Sequence, residues 1–527
     1  MSFIGEYIFN STNILVLLVS ALFMYAGCSS VVVNLKDLDP SRAPKSIQIP
    51  PFESHETLIG KIYEDALKKH KGLSGAILVT DGTQALLHRI ALTRIAQKSI
   101  LLQSYIYKDE ISSKLFIYEL WKAANRGVKI QILIDDNGLD SDFSDIITLD
   151  SHDNIEVKIF NPYKNRSRFL RLPEMVYDFK RINHRMHNKI FVVDNIALII
   201  GGRNVADNYF DSDLKTNFAD TDAIFLGDVA KKASENFALY WQFENSIPAY
   251  LLPSKRTMKS YQKNILKGMQ SIQKYPQEFE QYEELLNNFL QNYKNKKFEL
   301  TWGKASFIAD SPSKIHGDSA RPISDALKEI LKHTKNEICI AAAYFVPGNE
   351  ASKTLETLAK DNIKLSVLTN SLSSTDSILV YGAWERYRDR LANNGVRIYE
   401  YQYEGKSKKA NVRSKLHSSA GASLHSKSIV FDSYITWIGS FNMDARSDNL
   451  NTESVVVFEN EEFAEKTKHD IQEQMADSWR IWRIDDKTYW KGYNNKREFE
   501  IHKSDPNASI MLKIIKWFSK ILPESQL

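Results

Sequence analysis

The sequence predicts an α/β protein with two copies of one α-β-α domain, each with a mostly parallel sheet, related by a pseudo-two-fold axis. Three observations predict this fold. The chain has 527 residues, more than one hydrophobic core usually supports. Continuous apolar strand patterns alternate with helical patterns, which is typical of βαβ units. The same patterns then recur, in the same order, in the second half of the chain.

Composition places the chain among ordinary globular proteins. Hydrophobic residues make up 43% and charged residues 25% of the sequence, which excludes global disorder, collagen and coiled coil. Two cysteines cannot form a disulfide framework or a cysteine-rich zinc site. The formal net charge of +4 is too small over this length to indicate nucleic-acid binding by itself.

The first 28 residues have the pattern of a signal peptide. The apolar run at residues 14–26 is shorter than the roughly 20 residues that span a bilayer. It leads into Ala26-Gly27-Cys28-Ser29, which resembles the lipobox of bacterial lipoproteins. This resemblance implies lipidation of Cys28 and a lipid-anchored protein of the bacterial cell envelope, at the outer membrane or periplasmic face. An uncleaved anchor, or an export signal with a chance cysteine, are the alternatives.

The internal repeat sets the domain organisation. A buried strand at residues 99–105 matches one at 337–344, and the motif histidines of the two copies lie about 238 residues apart. After the signal peptide we expect an N-terminal extension (29–75), a first domain (76–250), a helical linker (251–300), a second domain (301–490) and a tail (491–527).

The tail contains an amphipathic helix. Between residues 509 and 522, Lys513, Lys516 and Lys520 fall on one helical stripe, and the apolar residues take the other. This pattern predicts a helix lying on a membrane surface. Docking of the apolar stripe on the protein's own core is the alternative.

The strongest signal is a motif that occurs once in each half. The pattern H-x-K-x4-D is followed, after six intervening residues, by G-[G/S]-x-N, and two such copies at matching places are not accidental. The candidate catalytic residues are His187, Lys189 and Asp194 in the first copy and His425, Lys427 and Asp432 in the second, followed by Asn204 and Asn442. We expect the two aspartates to be structural, holding the turn after each strand.

The residue types and their spacing indicate a phosphoryl-transfer site. A histidine and a lysine two positions apart on a strand point to the same side. If the halves meet across a two-fold axis, two histidines and two lysines surround one pocket, with Asn204 and Asn442 as added donors. Such a pocket binds an anion, and two imidazoles suffice for a two-step displacement at phosphorus. The prediction requires no metal and no cofactor.

The doubled motif resembles that of the phospholipase D superfamily, and within it the type C-like group of bacterial cardiolipin synthases. The resemblance covers nearly the whole mature chain. The residues that support it are 183–189, 201–205, 209–210, 344–348, 369–372, 386–388, 439–447 and 451–453. It implies two phospholipase D-type α-β-α domains and phosphatidyl transfer through a phosphohistidine intermediate.

The resemblance also implies a role for each site residue. His187 would be the nucleophile and His425 the general acid, then base. Lys189, Lys427, Asn204 and Asn442 would bind phosphate. Aligning the strand starts at 221–222 and 452–453 predicts that Asp222 orients His187 and that Glu453 orients His425.

The expected function is synthesis of cardiolipin from two phospholipids at a membrane surface. The expected substrates are phosphatidylglycerol and, as a second donor, phosphatidylethanolamine; a helper protein is compatible with the sequence. A hydrolytic phospholipase D, a nuclease of the same superfamily and a non-catalytic binding module are the alternatives. The weak net charge, the export signal and the tail helix argue against a nucleic-acid substrate.

Overall fold

The computed structural model describes residues 46–139, 146, 149–164, 168–213, 215–252, 276–402, 421–494 and 496–519. The predicted signal peptide, including Cys28, lies outside the described residues. Among the helices within these ranges, none combines the length and the hydropathy needed to cross a bilayer.

The strands and helices alternate along both halves of the chain, as the repeat predicts. The strands are β1 (Ser74–Val79), β2 (Ser99–Tyr107), β3 (Lys129–Leu139), β4 (Ile155–Phe160), β5 (Ile190–Val193), β6 (Ala197–Gly201), β7 (Thr216–Ala219), β8 (Asp222–Leu226), β9 (Ser246–Pro248), β10 (Thr301–Ala309), β11 (Glu337–Ala342), β12 (Lys364–Asn370), β13 (Arg397–Tyr401), β14 (Gly421–Leu424), β15 (Lys427–Phe431), β16 (Ile435–Gly439), β17 (Ser454–Glu459), β18 (Trp479–Ile484), β19 (Lys487–Tyr493) and β20 (Phe499–His502). The helices are α1 (Leu58–Ile62), α2 (Glu64–Lys69), α3 (Gly82–Ile95), α4 (Ile111–Asn125), α5 (Arg168–Tyr177), α6 (Phe179–Ile182), α7 (Asp228–Gln242), α8 (Pro276–Lys294), α9 (Pro322–His333), α10 (Gly348–Lys360), α11 (Ile378–Asn393), α12 (Ala445–Asn449), α13 (Glu461–Ala476) and α14 (Ile510–Ser519). Helix α8 lies in the predicted linker.

One mixed sheet of 18 strands runs through both halves. Its spatial order is β9-β4-β3-β2-β5-β6-β8-β1 in the first half, continuing as β10-β17-β16-β15-β11-β12-β13-β18-β19-β20 in the second. The halves join where β1 pairs antiparallel with β10, for example at Ala76 opposite Thr301. Because β1 and β10 are equivalent strands of the two copies, their pairing places the pseudo-two-fold axis between them.

The α/β class and the doubled unit are confirmed, but the prediction of mostly parallel sheets is wrong. Within the described sheet, only β2-β3-β4 and β11-β12-β13 pair in parallel. These strands are joined by helices α4, α10 and α11 or by a long connection, as parallel pairs require. The motif strands β5 and β15 instead turn back tightly into β6 and β16, so their pairs are antiparallel.

Apolar side chains form a core in each half and a third core between the halves. The third core contains Leu198 and Phe225 from the first half with Ile438 and Phe458 from the second. Helices α7 and α13 contribute to it through Phe237 and Phe463, for instance. The two halves are therefore held in fixed relation, which a site shared between them requires.

Candidate active site

Each motif histidine is fixed by the backbone of the opposite half. The N–H of His187 donates to the carbonyl oxygen of Thr452 at 2.8 Å, and the N–H of His425 donates to that of Ala219, also at 2.8 Å. Strand β14, which ends just before His425, pairs in parallel with β7 of the first half. These symmetric contacts bring His187 and His425 into one shared site.

A carboxylate from the opposite half binds each imidazole. Nδ1 of His187 lies 2.9 Å from both carboxylate oxygens of Glu453, and Nδ1 of His425 lies 2.8 Å from Oδ2 of Asp220. A carboxylate only accepts hydrogen bonds, so Nδ1 carries the proton in each ring. The lone pair of Nε2 is then available for chemistry.

The predicted pairing of histidines with carboxylates is wrong in both cases. Glu453 binds His187 rather than His425, because the two halves exchange their carboxylates across the pseudo-two-fold axis. Asp222 contacts neither histidine; its carboxylate lies 2.9 Å from the guanidinium of Arg89 in the first half. Asp220, which the sequence analysis did not select, is the partner of His425.

Sheet register shows why Asp222 is not the equivalent of Glu453. Gly201 of the first motif lies opposite Asp222, whereas Gly439 of the second lies opposite Val455. The equivalent of Asp222 is therefore Val455, and the equivalent of Glu453 is Asp220, two residues earlier.

Gly202 makes room for the Asp220 carboxylate. A Cβ atom at Gly202 would lie 2.2 Å from Oδ1 of Asp220, too close for any side chain. The second half has Ser440 at this position, and its hydroxyl donates to Glu453 at 2.5 Å. Gly202 thus leaves the space that the Asp220 carboxylate occupies, whereas Ser440 contacts the carboxylate of the longer Glu453 side chain.

Two buried lysines supply the positive charge. Nζ of Lys189 donates to the carbonyl oxygen of His187 at 2.7 Å, and Nζ of Lys427 makes the same contact with His425 at 2.5 Å. Both lysines are almost fully buried. Burial lowers the pKa of Lys189 to about 7, and burial likewise lowers the pKa of Lys427. A bound anion would favour the charged form of each lysine and raise its pKa.

Burial also keeps both histidines neutral. It lowers the pKa of His187 to about 4, against the opposing charge of Glu453. Burial, followed by the charge of Lys427, holds the pKa of His425 well below its ordinary range. Neutral imidazole is the form that attacks phosphorus.

The motif asparagines differ in their contacts. In Asn204, Oδ1 accepts from the N–H of Ile106 at 3.0 Å and Nδ2 donates to the hydroxyl of Tyr209 at 2.8 Å. The side-chain oxygen of Asn442 is buried without a hydrogen-bond partner among the described residues. Only Asn204 is held on both sides, and phosphate binding by Asn204 and Asn442 stays a prediction.

Aromatic rings line the histidines. Tyr105 meets His187 edge-on, with ring centroids 5.0 Å apart, and Tyr209 meets His425 in the same way at 5.0 Å. Phe218 lies 4.9 Å from His425. Strand patterning alone does not select these rings, because aromatic residues on a strand are usually core.

The motif aspartates hold turns, as their position after a strand predicts. The Asp194 carboxylate accepts from the backbone N–H groups of residues 97, 98 and 99, and Asp432 accepts from those of 335, 336 and 337. Asp194 and Asp432 also begin tight turns with positive φ, +52° and +50°. Neither carboxylate points into the site.

Most of the chain is similar to known proteins. The profile described as "Cardiolipin synthase, PLD-like domain" matches residues 90–241 and 327–475. An uncharacterized protein of Helicobacter pylori is 44% identical over 508 residues, 96% of this chain and 98% of that protein. Cardiolipin synthase C of Escherichia coli is 31% identical over 478 residues, 86% of this chain and 96% of that protein. The crystal structure of phosphatidylserine synthase from Haemophilus influenzae has the same fold, with a TM-score of 0.56 over 89% of this chain and 100% of that chain at 11% identity.

Proposed function

Because this chain belongs to the cardiolipin synthase family with phospholipase D-like domains, we propose that it is a phosphatidyltransferase that makes cardiolipin from two phospholipids at a membrane surface. One observation supports this proposal most directly. Two neutral histidines, each bound at Nδ1 by a carboxylate, share a buried site with two lysines.

In the proposed first step, Nε2 of His187 attacks the phosphorus of the donor lipid. A bond forms between this nitrogen and phosphorus, and the bond between phosphorus and the head-group oxygen breaks. His425, protonated at Nε2 when the anionic substrate is bound, gives its proton to the leaving alcohol. The head group leaves as glycerol from phosphatidylglycerol or ethanolamine from phosphatidylethanolamine.

In the proposed second step, the glycerol hydroxyl of a phosphatidylglycerol molecule attacks the phosphohistidine. Nε2 of His425 takes the hydroxyl proton, the new oxygen–phosphorus bond forms, and the bond to His187 breaks. The charge that builds on the phosphoryl oxygens in both steps faces Lys189 and Lys427, with Asn204 and Asn442 as neutral donors.

The proposal is tested with purified protein in vesicles that contain phosphatidylglycerol and phosphatidylethanolamine, with mass spectrometry of the products. We expect cardiolipin from the native chain and none from His187→Ala, because the alanine cannot form the intermediate. Leu239→Gln, at an exposed position on α7, is the matched control and keeps full activity.

Other products would contradict the proposal in distinct ways. Phosphatidic acid without cardiolipin would identify a hydrolase that uses water as the acceptor. Cleavage of added DNA without any lipid product would identify a nuclease. Cardiolipin from the His187→Ala variant would remove His187 from the mechanism.

A further inference from the structure

The C-terminal helix α14 packs Leu512 against the core of the second half but turns most of its apolar side chains away from the protein. Ile510 is 79% exposed, Trp517 is 61% exposed and Phe518 is 59% exposed. Met511, Ile514 and Ile515 are exposed as well. A helix that docks on a globular core normally buries its apolar stripe. Six exposed large hydrophobic side chains in a helix of ten residues therefore form a surface that has no partner among the described parts of the chain.

Polar residues of α14 fix this orientation. Nζ of Lys516 donates to the carboxylates of Asp505 at 2.7 Å and Glu385 at 3.0 Å, and the lysine side chain is largely buried. Ser519 lies against Gly382 of α11, where a Cβ atom would come within 1.8 Å of the serine hydroxyl. Lys516 and Ser519 thus face the protein, and the apolar face is held outward.

This surface is connected to the edge of the active site. The hydroxyl of Tyr344 donates to Asp376 at 2.8 Å, and the charge of Asp376 acts on His425. Tyr344 and Tyr381 line the same small pocket. The hydroxyl of Tyr381 donates to Asp505 at 2.7 Å, and Asp505 is the carboxylate that holds Lys516.

We propose that α14, together with the exposed Leu379 at the start of α11, docks on a phospholipid bilayer that contains anionic lipid. The proposal rests on the proposed function, because a helix docked on the bilayer would present the active site to lipid substrates. Trp517 and Phe518 are residues that favour the membrane interface. Lys503 is exposed just before the helix, and Lys513 lies beside Ser504, so cations flank the apolar face at the level of lipid head groups.

The test places an environment-sensitive fluorophore at position 518 through Phe518→Cys in the full chain. The background carries Cys28→Ser to remove a second thiol and His187→Ala to prevent turnover; Cys339 is buried. The matched control carries the label at Leu239→Cys, a position that is 58% exposed on helix α7. Vesicles of phosphatidylcholine, with and without phosphatidylglycerol, include lipids that bear a quencher on the acyl chain.

With phosphatidylglycerol vesicles, we expect emission from position 518 to shift to shorter wavelength and to be quenched, while position 239 does not respond. Lys503→Gln and Lys513→Gln are each expected to weaken this response roughly fivefold, and only when phosphatidylglycerol is present. Because the variant is inactive, the result does not depend on which product the native chain makes.

Three results would overturn the proposal. Position 518 could stay unquenched while the protein sediments with vesicles, which would show attachment through another part of the chain. Positions 518 and 239 could respond equally, which would show that α14 has no special orientation. Emission from 518 could already be shifted without vesicles and remain unchanged with them, which would show that another chain segment or a second copy covers the helix.

Discussion

The two carboxylates at the site are similar in chemistry but differ in the histidine that they bind. Glu453 fixes the proposed nucleophile His187, and Asp220 fixes the proposed acid His425. In the proposed mechanism the two carboxylates therefore support different roles, one the nucleophile and the other the acid–base group, and substitutions separate them.

We expect Glu453→Gln and Asp220→Asn each to lower turnover of a natural lipid donor by about 10–100-fold, because each loses the orientation of its imidazole. With a donor whose leaving group is nitrophenolate, protonation by His425 is unnecessary. The first-turnover burst of nitrophenolate should then be nearly normal in Asp220→Asn and still slow in Glu453→Gln. Equal loss of the burst in both variants would contradict this assignment.

The buried charges at the site also predict a pH profile. His187, with its pKa lowered by burial to about 4, loses its attacking lone pair below that pH. Lys189, with its pKa lowered by burial to about 7, loses its charge above that pH. We therefore expect kcat/KM for a dispersed short-chain nitrophenyl donor, whose leaving group needs no proton from His425, to be flat between these values and to fall on both sides.

Lys189→Arg is the control for the alkaline limb. Arginine stays charged across this range, so the fall above pH 7 should disappear even if the rate at the plateau drops. An alkaline limb unchanged in Lys189→Arg would mean that another group titrates there.

At the residue scale, the sequence located both histidines and both lysines because their spacing is set by the chemistry. It did not locate Asp220. The alignment of residues 221–222 with 452–453 relied on local similarity, whereas the true equivalence follows from the strand opposite each residue. Register between strands that are distant in sequence is not encoded in either strand alone.

At the scale of elements, each motif strand ends in a turn that its aspartate ties to a neighbouring segment. In Asp194, Oδ1 accepts from the N–H groups of residues 98 and 99, and Oδ2 accepts from that of residue 97. In Asp432, Oδ1 accepts from the N–H groups of residues 336 and 337, and Oδ2 accepts from that of residue 335. This contact joins β5 to the start of β2, and β15 to the start of β11.

We expect Asp194→Ala or Asp432→Ala to lower the free energy of unfolding by about 2–4 kcal/mol, because three N–H groups lose a charged acceptor. Asn at either position keeps one oxygen and should cost about half as much. Urea denaturation measures the stability, and kcat per folded molecule should change little. A loss of kcat greater than tenfold in a stably folded Asp194→Asn variant would indicate a catalytic role.

The same turns explain the main error in the predicted topology. The sequence pattern identified the buried strands β2 and β11 and the helices that follow them. From this pattern we predicted βαβ units and a mostly parallel sheet. The residues between β5 and β6, and between β15 and β16, are too few for a crossover helix, so these strands pair antiparallel. The Asp-Asn and Asp-Ser pairs favour tight turns, and they were the signal in the sequence for antiparallel pairing at these places.

At the scale of the whole molecule, the two halves complete each other. Each half contributes one histidine, one lysine and the carboxylate that orients the other half's histidine. The sequence predicted a shared site from the repeat alone. It did not predict the exchange of carboxylates, because the exchange depends on how the halves pack.

The central claim is that His187 receives the phosphatidyl group. The most direct measurement is intact-protein and peptide mass spectrometry of His425→Ala after brief reaction with a nitrophenyl-activated phosphatidyl donor. Because this variant lacks the base for the second step, we expect the phosphatidyl adduct to accumulate on His187, and no adduct to form in His187→Ala. An adduct on another residue, or none while nitrophenolate is released, would contradict the account.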